Sequence, residues 1–102
     1  MGINIVLEDE DGGEIAVVGD PTNFLHEILP SVESLEFRCL GFVDRYGDTT
    51  FNRLQMDDVQ RELNLLRSKS NQSEVQALLD QISALAQRCK SDVHTYLKFY
   101  GD

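Results

Sequence analysis

The chain predicts an α+β domain, a mostly antiparallel sheet of about five strands with a helical hairpin packed on one face. Three observations carry this. Two β-rich runs near the N-terminus flank a Gly-Gly turn. Two stretches in the second half repeat apolar residues every three or four positions, the period of a helix. The C-terminal residues alternate with the period of a strand. The element order is ββαββααβ, and a chain of 102 residues is one domain, residues 1–102.

Residues 3–8 are rich in Ile and Val, Asp11-Gly12-Gly13 is a strong turn signal, and Ile15-Ala16-Val17-Val18 follows. This predicts a β-hairpin over residues 2–8 and 14–18. Asp20-Pro21 opens a short helix over 21–29, with Asp20 as cap and Pro21 in the first helical position, where its missing N–H costs nothing. Phe24, Leu25, Ile28 and Leu29 fall on one face, and Pro30 ends the run.

Residues 35–43 are mostly apolar and predict a central strand with large side chains on both faces. Tyr46-Gly47-Asp48 turns the chain, and Thr49-Thr50-Phe51 starts a return strand. Asp57, with Gln60 three residues on, starts a helix over 57–67 whose buried face is Met56, Val59, Leu63 and Leu66. Ser73 and Gln76 repeat that signal for a helix over 73–90, with a stripe from Val75 through Leu79, Ile82 and Ala86 to Cys89. Arg88 and Lys90 complement the dipole of its last turn. Residues 93–100 form a final strand, so C-terminal truncation is expected to be damaging. The tripeptide Tyr-Gly-Asp occurs twice, at 46–48 and 100–102.

The charge is polarised along the chain. The first 37 residues hold nine acids and no Lys or Arg, and the rest balances nine against nine, so the net of -9 belongs to the front. Phosphate would be repelled and no basic stripe exists, which argues against nucleic acid and against anionic membranes. A basic protein is the expected partner. Without a basic N-terminal region or a long apolar run, no leader or membrane span is expected, and the cytoplasm is the expected compartment. Cys39 and Cys89 read as buried free thiols, and no spacing suits zinc.

The candidate contact residues are Glu8, Asp9, Glu10, Asp11 and Glu14 on the hairpin, with Tyr46 and Asp48 as secondary contacts. The hairpin is either a solvated turn or a docking surface. It fails the calcium-loop pattern, because Gly13 and Glu14 fall where an oxygen ligand and Gly are needed. At the second turn, Asp48 can bond to backbone N–H groups, or Arg45 can pair with an acid while Tyr46 serves as an interface anchor. An enzyme would need Asp44, Asp48 and His94 around one cleft. No catalytic set, cofactor or metal is expected.

The run Asp44-Arg-Tyr-Gly-Asp-Thr-Thr-Phe-Asn-Arg-Leu-Gln55, the two helices ending Gln87-Arg-Cys89, and the tail Phe99-Tyr-Gly-Asp102 resemble small acidic bacterial proteins, over the last two-thirds of the chain. That resemblance implies a compact bacterial cytoplasmic domain and carries no catalytic residues over. In size and acidity the chain is also similar to toxin-neutralising immunity proteins. The expected function is therefore protein binding, an immunity-type inhibitor of a basic, nuclease-like toxin. A self-associating subunit is the alternative, with the tail strand as a sheet edge and Tyr96 and Tyr100 seeding a homodimer.

Overall fold

The computed structural model describes residues 2–101. It is an α+β fold built on one four-stranded antiparallel sheet. The strands are β1 (Asn4–Asp9), β2 (Glu14–Val18), β3 (Asp48–Asn52) and β4 (Thr95–Tyr100), in the spatial order β2-β1-β4-β3. The helices are α1 (Phe24–Ile28), α2 (Met56–Ser68) and α3 (Ser73–Lys90).

The N-terminal hairpin forms where the turn signal placed it. Val6 pairs with Val17 and Leu7 with Ala16, and the register slips by one residue between Leu7 and Glu8. Period-two alternation sends Ile3, Ile5, Leu7, Leu97, Phe99 and Phe51 to the helical side, where all are buried. Phe51 and Phe99 meet edge to face at 5.7 Å. The other face carries Asn4, Val6, Glu8, Val17, Tyr96, Lys98, Tyr100 and Thr50.

The stripes on α2 and α3 are buried as expected, from Met56 to Leu66 and from Val75 to Cys89. The two helices are tied by Gln60, whose Nε2 donates to the Ser83 carbonyl at 2.9 Å, and by Arg67 Nε to Asp80 Oδ1 at 2.8 Å. Gln60 therefore serves the helix pair rather than a capping box. The box is formed earlier by Asn52 and Gln55, in the 3-10 turn Arg53–Gln55 that leads into α2. Gln76 likewise donates to the Ser70 carbonyl at 2.8 Å instead of closing a box with Ser73.

Two further expectations, about the elements themselves, are corrected. The sheet has four strands, not five, because residues 35–43 are not a strand. Phe37, Cys39, Leu40, Gly41 and Val43 are all buried, but the backbone winds through successive turns instead of pairing: Gly41 N donates to the Phe37 carbonyl, and Phe42 N to that of Cys39. Leu40–Phe42 is a 3-10 turn. The amides of Cys39 and Leu40 find their acceptor in a side chain, the carboxylate of Glu62, at 2.7 to 3.2 Å. Second, α1 starts at Phe24 rather than at Pro21. Asp20 does cap it, accepting from Phe24 N at 3.0 Å and Leu25 N at 2.7 Å, but across a left-handed Asn23 with φ 62°.

The final strand lies between β1 and β3, so it is not a sheet edge. The two Tyr-Gly copies lie side by side, with Gly101 N donating to the Gly47 carbonyl at 2.7 Å. A Cβ on Gly101 would collide with the backbone of Asp44 and Arg45, so this approach requires glycine. Asp102, the end of the second copy, lies outside the described residues. No described helix is long and apolar enough to cross a membrane.

Candidate functional site

The hairpin turn divides its acids by role. Asp9 is a brace: its Oδ1 accepts from Asp11 N at 2.9 Å and from Gly13 N at 2.8 Å. Gly12, at φ 82°, supplies the left-handed step that closes the turn. Glu8 points away from the turn, onto the sheet face opposite the helices. There it is 4% exposed, accepts the Tyr100 hydroxyl proton, and pairs with Lys98 Nζ at 3.1 Å. The Glu8 hydrogen bond holds both the Tyr100 and Lys98 pKa values up. Glu8 is therefore a neutralised part of the sheet.

That leaves Glu10, Asp11 and Glu14 presented to solvent at the tip. Glu10 meets His94 Nδ1 at 3.2 Å, and its hydrogen bond and charge raise the histidine above its ordinary pKa of 6.5. Among the described residues, Asp11 and Glu14 make no ion pair. Lys90, from the end of α3, is engaged with Asp57 at 2.7 Å.

Tyr46 and Asp48 are at the opposite end of the sheet. Asp48 pairs in register with Tyr100, which faces Asn4 at the start of β1, whereas Thr95 faces Asp9 at its end. Six residues of strand separate these ends by about 17 Å at ~3.4 Å per step. The hairpin acids and the second turn thus form two surfaces, not one.

In the second turn the bracing residue is Asp44, whose Oδ1 accepts from Tyr46 N at 2.9 Å. Among the described residues Arg45 pairs with no acid. Its Nε donates to the His26 carbonyl at 3.0 Å and its Nη2 to the Leu29 carbonyl at 2.8 Å, satisfying acceptors left free at the C-terminus of α1. Tyr46 stands 72% exposed with its ring edge-on to His26 at 5.6 Å. His94 sits with the hairpin, so Asp44, Asp48 and His94 do not surround one cleft. Among the described residues no three His, Cys, Asp or Glu side chains group as a metal site.

Sequence reasoning missed Glu62. The available signal was its position, three residues beyond Val59 on the buried face of α2. It also missed the exposed apolar side chains between α1 and β3, namely Val32, Leu35 and Phe42, because a strand would have hidden most of them. Comparison with protein-family models, curated proteins and solved structures finds no match for this chain.

Proposed function

We propose that this protein is a cytoplasmic protein-binding module, an inhibitor of immunity type that offers its acidic end to a basic, nuclease-like protein. The observation that carries this is the hairpin tip. Glu10, Asp11 and Glu14 project from one end of the sheet, and among the described residues the only basic side chain paired with any of them is the titratable His94. Such a tip gives a one-signed field, and fields of that kind speed the encounter with an oppositely charged surface. A nuclease cleft built for phosphates accepts carboxylates in their place.

The test begins with affinity capture from the producing cells and identification of the bound protein. Stopped-flow association is then measured across a salt series. The expected partner is strongly basic, and its association rate falls by about tenfold or more between roughly 20 mM and 500 mM salt. A triple variant, E10Q/D11N/E14Q, lowers the low-salt association rate and leaves dissociation nearly unchanged. A neutral partner, or a rate indifferent to salt, removes the proposal.

A further inference from the structure

Asp11-Gly12 is the single place in the chain where an Asp or Asn precedes a glycine. That pairing has its own chemistry. The backbone nitrogen of the following residue can attack the side-chain carbonyl carbon of Asp, and a Cβ on that residue is the chief obstruction. Gly12 has none, and a Cβ built there would meet nothing within 4 Å. Both residues are exposed.

The step balances with water as its only co-reactant. Gly12 N bonds to Cγ of the protonated Asp11 carboxyl, the amide hydrogen and the carboxyl OH leave as water, and a cyclic imide closes. Water then reopens the imide. Cleavage of the Cγ–N bond restores aspartate. Cleavage of the bond between the α-carbonyl and N leaves the main chain running through Cβ and Cγ, an isoaspartate with a free α-carboxylate.

The fold restrains the atoms that must move. Gly12 N, the nucleophile, donates to the Asp9 carbonyl at 3.1 Å. The amides on either side of it share one side-chain oxygen: Asp11 N lies 2.9 Å and Gly13 N 2.8 Å from Asp9 Oδ1. Asp9 N closes the loop by donating to the Gly13 carbonyl at 2.9 Å. The Asp9 carboxylate is wrapped so tightly on Gly13 that a Cβ there would stand 2.7 Å from Oδ2. Swinging Gly12 N onto the Asp11 side chain requires these bonds to open, and two of the four end on Asp9 Oδ1.

We propose that Asp11-Gly12 is a site of spontaneous isoaspartate formation and that Asp9 is the positioning residue that holds its rate down. The closed turn keeps the step slow, and each opening of the turn exposes it. The product lengthens the backbone between Asp9 and Gly13 by one carbon, so the modification is also a lasting change in the shape of the acidic tip. This chemistry belongs to the chain alone and does not depend on the partner proposed above.

The test incubates the full chain for several weeks at about 37 °C and about pH 6, where carboxylates in general keep a small protonated fraction. Isoaspartate is read by methyl transfer from S-adenosylmethionine with an isoaspartate-specific methyltransferase. It is located by mass spectrometry after an endoprotease that cuts before aspartate but not before isoaspartate. Asp9→Ala, with its sheet checked by amide spectrum, should accumulate isoaspartate at position 11 at least about tenfold faster than the parent, the effect of releasing two hydrogen-bonded amides. Asp9→Asn keeps a carbonyl oxygen as acceptor and should stay near the parent rate. Asp11→Asn forms the same imide with loss of ammonia, and its deamidation should follow the same order across the three backgrounds at position 9. Asp9→Ala no faster than the parent, Asp9→Asn as fast as Asp9→Ala, or isoaspartate arising first at another residue overturns the proposal. Should Asp9→Ala fail to fold, the parent is compared with itself in urea, where release of the turn should bring a similar acceleration; equal rates there overturn it as well.

Discussion

Glu62 has no exposed surface, yet it lies on the helix face otherwise made of Met56, Val59, Leu63 and Leu66. Its burial is offset by the amides of Cys39 and Leu40, which would have no acceptor without it. Glu62→Ala should therefore destabilise the fold by about 3 kcal/mol, from two orphaned buried donors at ~1–3 kcal/mol each. Glu62→Gln keeps one carbonyl acceptor and should cost less. Urea unfolding of the two variants checks the order. His94 gives a prediction of opposite character. Its pKa is raised by Glu10, so the pair's contribution is fully present below about 6.5, the unfolded value, and fades as pH rises through the folded value. In an NMR titration His94 should titrate above 6.5, and Glu10→Gln should bring it back down. Deprotonation also leaves the tip more negative, so association with a basic partner should quicken over the same pH range. For Cys39, burial and the Glu62 charge push the thiol up to about 11, and burial raises Cys89 too. Neither thiol should react with a thiol reagent at pH 8 until urea is added.

Among the elements, the long helices were the most legible in the sequence. An amphipathic stripe of four or more turns is a local pattern, and Ser73–Lys90 appears over the residues its periodicity marked. The hairpin was legible for the same reason, since Gly12 and Gly13 encode the turn in place. The 35–43 segment was not. Its apolar density suits a strand, but whether Phe37, Cys39 and Leu40 pair with a neighbouring strand or wind around a buried carboxylate depends on a residue more than twenty positions away. Capping was half legible: Asp20 was recognisable, while Arg45 as the partner of the α1 carbonyls could not be read from a residue sixteen or more positions downstream. The element that matters most is β4. It pairs with β1 on one side and β3 on the other and supplies fully buried Leu97 and Phe99. Phe99→Ala should lose about 3–5 kcal/mol, from transfer and cavity terms together, measured by chemical denaturation.

At the scale of the whole molecule, 35 × 26 × 25 Å, the acidic front of the sequence is partly dispersed. Of its nine acids, Glu8 is paired with Lys98 and hydrogen-bonded by Tyr100, Asp20 is buried as a cap, and Glu36 lies 3.9 Å from Lys69. Of the other six, Glu27 and Glu33 lie away from the hairpin, and Asp9, Glu10, Asp11 and Glu14 gather at its turn, the last three exposed there. The sheet order has a further consequence. Because β4 is central, deleting residues 95–102 removes the pairing partner of both β1 and β3. The truncated chain should lose its dispersed amide spectrum altogether, rather than fray at one edge. The same topology takes away the premise for a homodimer through the tail, since Tyr96 and Tyr100 lie on a strand with both edges occupied.

Sequence alone determined the features set by neighbours along the chain: the α+β class, the first hairpin, both long helices, the final strand and the acidity of the turn. Each depends on spacing within a few residues, where backbone periodicity and turn chemistry act directly. Tertiary structure alone decided which carboxylates remain free, that Glu62 replaces a strand partner for residues 39–40, and that the two turns face opposite ends. Those outcomes depend on contacts between residues twenty to ninety positions apart. The cost of burying a charge or an amide is settled only by whichever partner the folded chain brings to it.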